Sequence, residues 1–293
     1  MSGPWRLAGV LVAALLVSSC STAVGDAGRP SASASSDAPS AVEQTVQVDG
    51  NTLTITCDGE GTPTVLFEAG AGGDDQWFWR VQDDVQLTTR TCSYTRAGID
   101  ASRPAENSPV TIGSLSDELE ALLDGAGIDG PYVLVGHSMG GMVAQVFASR
   151  NEDRVVGIVF DDSSVAAQVG QKDPVWEDGP GNPVDMVASK QELLRAGDFG
   201  DIPVVVLTQN FADTDEFDRS QQLWWRREHS SLARRSTNSI HLLAVSSGHM
   251  IQDEQPSLVV AAINEVVASA RSGQPLAACS GRFDAVDGRC LPG

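Results

Sequence analysis

Short apolar runs alternate with amphipathic stretches along most of the chain. Thr45–Val48 and Thr52–Thr56 alternate inward and outward positions on either side of Asp49-Gly50-Asn51, the pattern of a hairpin. Thr64–Glu68 reads as a buried strand running into Gly70-Ala71-Gly72-Gly73. Trp77–Leu87 has helical character, and Thr89–Tyr94 predicts another strand. Over Thr111–Leu123, Ile112, Leu115, Leu119, Leu122 and Leu123 share one helical face, with Gly125 as the expected stop. Tyr132–Val135 is apolar, rich in β-branched residues and too short for a helix, and a helical segment follows to Arg150. Val155–Phe160 predicts a further buried strand. Then come strand Pro203–Thr208, helix Glu216–Arg234, strand Ile240–Val245 and helix Pro256–Arg271, in which Pro256 suits a first helical turn.

Strands alternating with helices predict a mostly parallel sheet covered on both faces. The rhythm fails at Ser163–Gly200, which is rich in Gly, Pro and Asp and carries only a weaker helical segment near Met186–Arg195. With 293 residues, 41% of them hydrophobic, the chain can build one sizeable core or two small domains. A formal charge of −20 argues against nucleic acid and against electrostatic adhesion to anionic lipid.

The N-terminus changes the picture. Met1–Arg6 is short with one positive charge, Leu7–Val17 is an uninterrupted run of apolar and small residues, and Val17-Ser18-Ser19-Cys20 ends it. That run is too short to span a bilayer and suits a signal-peptide core. Its ending resembles the bacterial lipobox, so residues 1–19 are expected to be removed and Cys20 lipidated, anchoring an exported cell-envelope protein to the membrane. Residues 20–42, rich in Ser, Ala and Pro, would form a tether. The remaining four cysteines suit an oxidising compartment. Cys57 and Cys92 lie in two predicted strands, and Cys279 and Cys290 bracket a short tail over residues 274–293, so bridges 57–92 and 279–290 are expected. Neither pair has the spacing of a metal site, and no metal is expected.

The candidate chemistry lies in Pro131–Gly141. Gly136-His137-Ser138-Met139-Gly140 sits between a predicted strand and a predicted helix. In that context Gly-X-Ser-X-Gly marks a sharp turn that exposes the serine hydroxyl, with a helix N-terminus behind it to favour developing negative charge. Ser138 is the candidate nucleophile.

The order of elements, with the motifs LFEAGAGG, TCSYTRAG, GPYVLVGHSMGG, GIVFDDSS and SSGHMIQDEQP, resembles the α/β-hydrolase superfamily, in particular its single-domain secreted or lipid-anchored members. The resemblance covers roughly residues 43–273. One departure is Thr95, where similar proteins carry aspartate. The resemblance implies an α/β-hydrolase fold with an eight-stranded sheet and a small cap insertion at about 163–200. It also implies a histidine base before the last helix, which is His249. His137 would be turned away from the serine, His229 lies in a charged and surface-like helix, and His241 opens a strand as a packed or edge residue. The orienting acid is Asp162, after the strand ending at Phe160, or alternatively Asp213, with Asp215 behind it, after the strand ending at Thr208. The amides of Ala71 and Met139 are the expected oxyanion donors.

These residues imply a serine hydrolase acting on a carboxylic ester or thioester, as a monomer, on a small-molecule or lipid ester and without a cofactor. An acyltransferase using the same triad and a catalytically silent binding module on the same fold are the alternatives. Trp77, Phe78, Trp79 and Trp176 could line an acyl pocket or simply pack the core, and at least one of Trp224 and Trp225 should be core.

Overall fold

The computed structural model describes residues 41–99, 108–170, 174–210 and 219–292. Its first elements are β1 (Val42–Val48) and β2 (Asn51–Asp58), the expected hairpin, followed by β3 (Thr64–Glu68), α1 (Trp79–Val85), β4 (Thr91–Tyr94) and α2 (Ile112–Ala126). The Ser138 turn joins β5 (Tyr132–His137) to α3 (Met139–Arg150). After β6 (Val155–Asp161) the insertion forms an antiparallel ribbon, β7 (Val175–Glu177) with β8 (Pro183–Asp185), and then α4 (Met186–Arg195). β9 (Val204–Gln209), α5 (Arg219–Ala233), β10 (Ser239–Ala244), the one-turn α6 (Ile251–Glu254), α7 (Pro256–Ser272) and β11 (Gly288–Cys290) complete the chain.

One sheet runs in the order β1-β2-β4-β3-β5-β6-β9-β10-β11, parallel from β4 to β10 and antiparallel at both margins. It has nine strands where eight were expected. The ninth is β11, from the tail, which pairs with β10 through Leu242, Leu243 and Ala244.

Alternate residues of the central strands face opposite sides, as the period of a strand requires. Leu66, Leu134, Ile158, Phe160, Val204 and Val206 join the core under α2, α3 and α5. Val65, Val133, Val135, Val159, Val205 and Leu207 join the core under α1 and α7. Each such side chain contributes roughly 1.5–3 kcal/mol of burial. With both faces covered, the central strands read as unbroken apolar runs.

α2 runs past Gly125 and ends at Gly127, whose φ of 64° provides the left-handed cap. Gly125 serves packing instead: a Cβ there would run into the Val46 side chain. Cys57 and Cys92 face each other across β2 and β4 and are bonded, and Cys279 is bonded to Cys290. Among the described residues no helix is long and apolar enough to cross a membrane.

Strand register gathers three loops at one edge of the sheet. Glu68 pairs with Gly136 and His137 with Asp161, so β3, β5 and β6 end side by side and the loops after them meet. In an open parallel sheet, ligand sites form beyond the carboxyl ends of the strands.

Candidate active site

Ser138 stands at the end of β5 with φ 51° and ψ −121°, a conformation that costs a non-glycine residue on the order of 1–3 kcal/mol. Its neighbours hold it there. Its N–H donates to the Asp161 carbonyl at 3.3 Å, and its own carbonyl accepts from Gly141 at 3.1 Å and Ser164 at 2.9 Å. Glycine is needed on the helix side for close approach. A Cβ at Gly140 would collide with the Glu68 and Ala69 carbonyl oxygens, and one at Gly141 with the Ser163 hydroxyl. The Ser138 turn is therefore pressed against the loops after both β3 and β6.

Asp162 follows β6, also at positive φ (43°), and is fully buried. Its Oδ2 accepts from His249 Nδ1 at 2.6 Å. Its Oδ1 accepts from the Gln209 N–H at 3.0 Å and from Trp225 Nε1 at 2.9 Å. Burial works to raise this carboxyl, but the His249 hydrogen bond and the Gln209 N–H hold it below its ordinary range. It is thus a charged carboxylate with both oxygens hydrogen-bonded, one of them to His249. Asp161, one residue back, is its opposite: burial, and then the Asp162 charge, push it well up. Among the described residues no hydrogen bond occupies His249 Nε2. Asp213 and Asp215 lie outside the described residues.

The other histidines are all buried. His137 does not face solvent: its Nε2 donates to the His249 carbonyl at 2.9 Å and its Nδ1 accepts from Trp77 Nε1 at 3.1 Å. Burial and then His249 push it down to about 3, so it is neutral. His229, expected at the surface, is fully buried. It is on the face of α5 that carries Trp225 and Leu232, and that i, i+4, i+7 spacing was the available signal among the surrounding arginines. Its Nε2 donates to the Ser163 carbonyl at 2.8 Å, and its Nδ1 and His241 Nε2 both lie 2.7 Å from the Thr208 hydroxyl. Ser230 Oγ lies 3.1 Å from His241 Nδ1. All these groups are satisfied in one direction if both rings are neutral: Ser230 to His241, His241 to Thr208, Thr208 to His229, His229 to Ser163. Burial pushes both rings down, His241 to about 3.

Of the expected oxyanion donors, Met139 is the first residue of α3 and is buried, while Ala71 is exposed in the loop after β3. Thr95 takes up a loop contact of its own, its Oγ1 accepting from the Asp75 N–H at 3.0 Å. The aromatic residues divide. Phe78 stacks on Phe67 in the core, Trp79 is half exposed, Trp77 donates to His137, and Trp176 packs against the apolar cluster that α2, α3 and α4 share. Among the described residues no group of three or more His, Cys, Asp or Glu side chains is arranged to hold a metal ion.

A family model described as alpha/beta hydrolase fold matches residues 63–265, from β3 into α7. The chain belongs to the α/β-hydrolase family. Within that family it is 28% identical over 247 residues to YqjL, an uncharacterized Bacillus subtilis protein, spanning 80% of this chain and 96% of that one. Over 58 residues it is 48% identical to lipase LipV of Mycobacterium tuberculosis, covering 20% of this chain and 22% of the lipase. Its fold matches that of a thermophilic esterase from Thermogutta terrifontis with a TM-score of 0.57 and 21% identity, over 79% of this chain and 99% of the esterase. This α/β hydrolase thus carries the family's fold from β3 into α7.

Proposed function

We propose that this chain is a serine hydrolase of carboxylic esters or thioesters, with Ser138 as nucleophile, His249 as base and Asp162 as the orienting acid. The observation that carries the reading is the 2.6 Å bond from His249 Nδ1 to the buried Asp162, set beside a strained serine at a strand-to-helix turn. Similarity to the Thermogutta esterase and to lipase LipV supports the ester class.

In this reading His249 Nε2 takes the Ser138 proton as the oxygen attacks the carbonyl carbon. Asp162 stabilises the imidazolium that results. The amides of Ala71 and Met139 hold the tetrahedral oxyanion, and the positive end of α3 adds to that field. His249 then gives its proton to the leaving alcohol or thiol. Water, deprotonated by His249, hydrolyses the acyl-enzyme and restores Ser138.

The test is hydrolysis of p-nitrophenyl esters of increasing acyl length by wild type and by Ser138→Ala. Activity in wild type that disappears in the variant supports the reading, and the length profile sizes the acyl site. Folded wild-type protein with no activity on any ester, and no labelling of Ser138 by a fluorophosphonate, would sink it.

We also infer that the enzyme works outside the cytoplasm, anchored through Cys20. The two disulfides favour an oxidising compartment, and the sequence before Cys20 favours lipidation. Metabolic palmitate labelling that is absent in Cys20→Ala would support this, and an unlabelled wild type would overturn it.

A further inference from the structure

We propose that Asp178, in the turn of the insertion's ribbon, is a positioning residue that aims the Ala71 amide, so that the insertion is a fixed part of the oxyanion site; this rests on the serine-hydrolase reading of Ser138.

Gly179, Pro180 and Gly181 of the ribbon turn reach solvent, whereas Asp178 and Asn182 on either side of them are fully buried. Its carboxylate meets Arg96 in a forked ion pair, Oδ2 accepting from Nε at 2.9 Å and Oδ1 from Nη2 at 2.8 Å. Oδ1 also accepts from the Gly72 N–H at 3.0 Å. Arg96 directs further donors at the same loop, Nη1 to the Ala69 carbonyl at 3.0 Å and Nη2 to the Gly70 carbonyl at 2.6 Å. One buried ion pair thus grips the loop on both sides of Ala71.

The geometry of the peptide unit turns this grip into aim. The Gly70 carbonyl and the Ala71 N–H belong to one planar trans unit and point in opposite directions. That oxygen also accepts from the Gly73 N–H at 3.1 Å, and holding it against Arg96 directs the Ala71 N–H away from the guanidinium. The Gly72 bond to Asp178 stops the next unit from turning.

Among the described residues Asp178 makes the closer of the two ion pairs of Arg96, at 2.8 Å. The Arg96 residue is 1% exposed. The second carboxylate, Glu68, lies at 3.5 Å and is pushed by burial up to about 7 in spite of Arg96. Without Asp178 the cation would lose its forked counter-charge, and the loop would lose the Gly72 anchor with it. A second side-chain contact seats the ribbon: Asn182 Nδ2 donates to the Ala97 carbonyl at 3.0 Å, while the Asn182 backbone carbonyl, which a substitution leaves in place, accepts from the Asp178 N–H.

The experiment is steady-state kinetics of Asp178→Ala, Asp178→Asn and Asn182→Ala on a short p-nitrophenyl ester, with the affinity of a boronic acid that mimics the tetrahedral state. Oxyanion donors act in the transition state, and loss of a complete donor costs about 10²–10³ in kcat. Asp178→Ala is expected to lower kcat about 10- to 100-fold with KM within about twofold, and to weaken the boronate in parallel. Asp178→Asn, which keeps an acceptor for Gly72, should fall between Asp178→Ala and wild type. Asn182→Ala should stay within about threefold of wild type. Near-UV circular dichroism checks the fold, and if Asp178→Ala does not fold, Asp178→Asn decides. An unchanged kcat, a change in KM alone, or a boronate affinity equal to wild type would overturn the proposal. Activity surviving in Ser138→Ala would instead overturn the reading of the site.

Discussion

His137 and His249 are joined ring to backbone: the imidazole beside the proposed nucleophile donates from Nε2 to the carbonyl of the proposed base, with the two ring centroids 4.6 Å apart. Trp77 fixes which nitrogen carries the proton, since its indole N–H occupies His137 Nδ1. A residue expected to point away from the chemistry is therefore the tie between the Ser138 turn and the loop that carries His249.

His137→Phe keeps the ring volume and removes both hydrogen bonds. It leaves the Trp77 indole and the His249 carbonyl, both half-buried, without these partners, at about 1 kcal/mol each. A base displaced by a fraction of an ångström lowers kcat, here by about 10- to 100-fold. Thermal denaturation and ester kinetics on one preparation check both effects, and a variant equal to wild type in kcat would remove His137 from the positioning of His249.

The identity of the acid is decided by a pair of variants. Asp162→Asn should lower kcat by about 10⁴, as expected when the orienting carboxylate of such a triad becomes an amide. Asp213→Asn should stay within about twofold of wild type. The reverse ranking would move the acid to the segment after β9.

Thr208→Val tests the buried histidine pair. Valine matches threonine in shape but supplies neither the donor for His229 nor the acceptor for His241. A loss of about 2–4 kcal/mol in urea denaturation is expected, with Thr208→Ser recovering most of it. Loss in neither variant would mean that the two rings find other partners.

Stability should fall as the pH rises from mildly acid to neutral. Burial raises Glu68 from 4.5 to about 7, and Glu118, whose Oε1 accepts from the Ala97 N–H, likewise. Between these values the unfolded chain has released the proton and the folded chain still holds it. The stabilisation is thus complete below 4.5 and lost as the pH passes through 7, on the order of 3 kcal/mol for Glu68. Asp162 has the opposite sign: its folded carboxyl is depressed, so its contribution is present above its ordinary 3.8 and lost on acidification. Melting temperature against pH for wild type and Glu68→Gln is the measurement, and the variant should show the shallower decline.

The parts of this fold legible in the sequence were those with a local cause. Apolar runs such as Tyr132–Val135 and Val155–Phe160 marked buried strands because both faces of the sheet are covered. The Ser138 turn was legible because close approach to Glu68, Ala69 and Ser163 demands glycine. Asp162 was one of two candidates, since only the packing of β6 against β9 brings the Gln209 N–H and the Trp225 indole to it. His229 was misjudged because arginines on the solvent side of α5 concealed the face formed by Trp225, His229 and Leu232. Asp178 gave no signal at all. It is a carboxylate in a Gly/Pro-rich turn, and its partner Arg96 lies 82 positions away in the chain.

The ninth strand has a consequence for biogenesis. β10 is flanked by β9 on one side and by β11, which follows it by more than forty positions, on the other. Until β11 has been synthesised, β10 offers an open row of backbone donors and acceptors, a template for a second nascent chain. A chain interrupted between α7 and Gly288 would therefore carry every proposed catalytic group and still be prone to self-association.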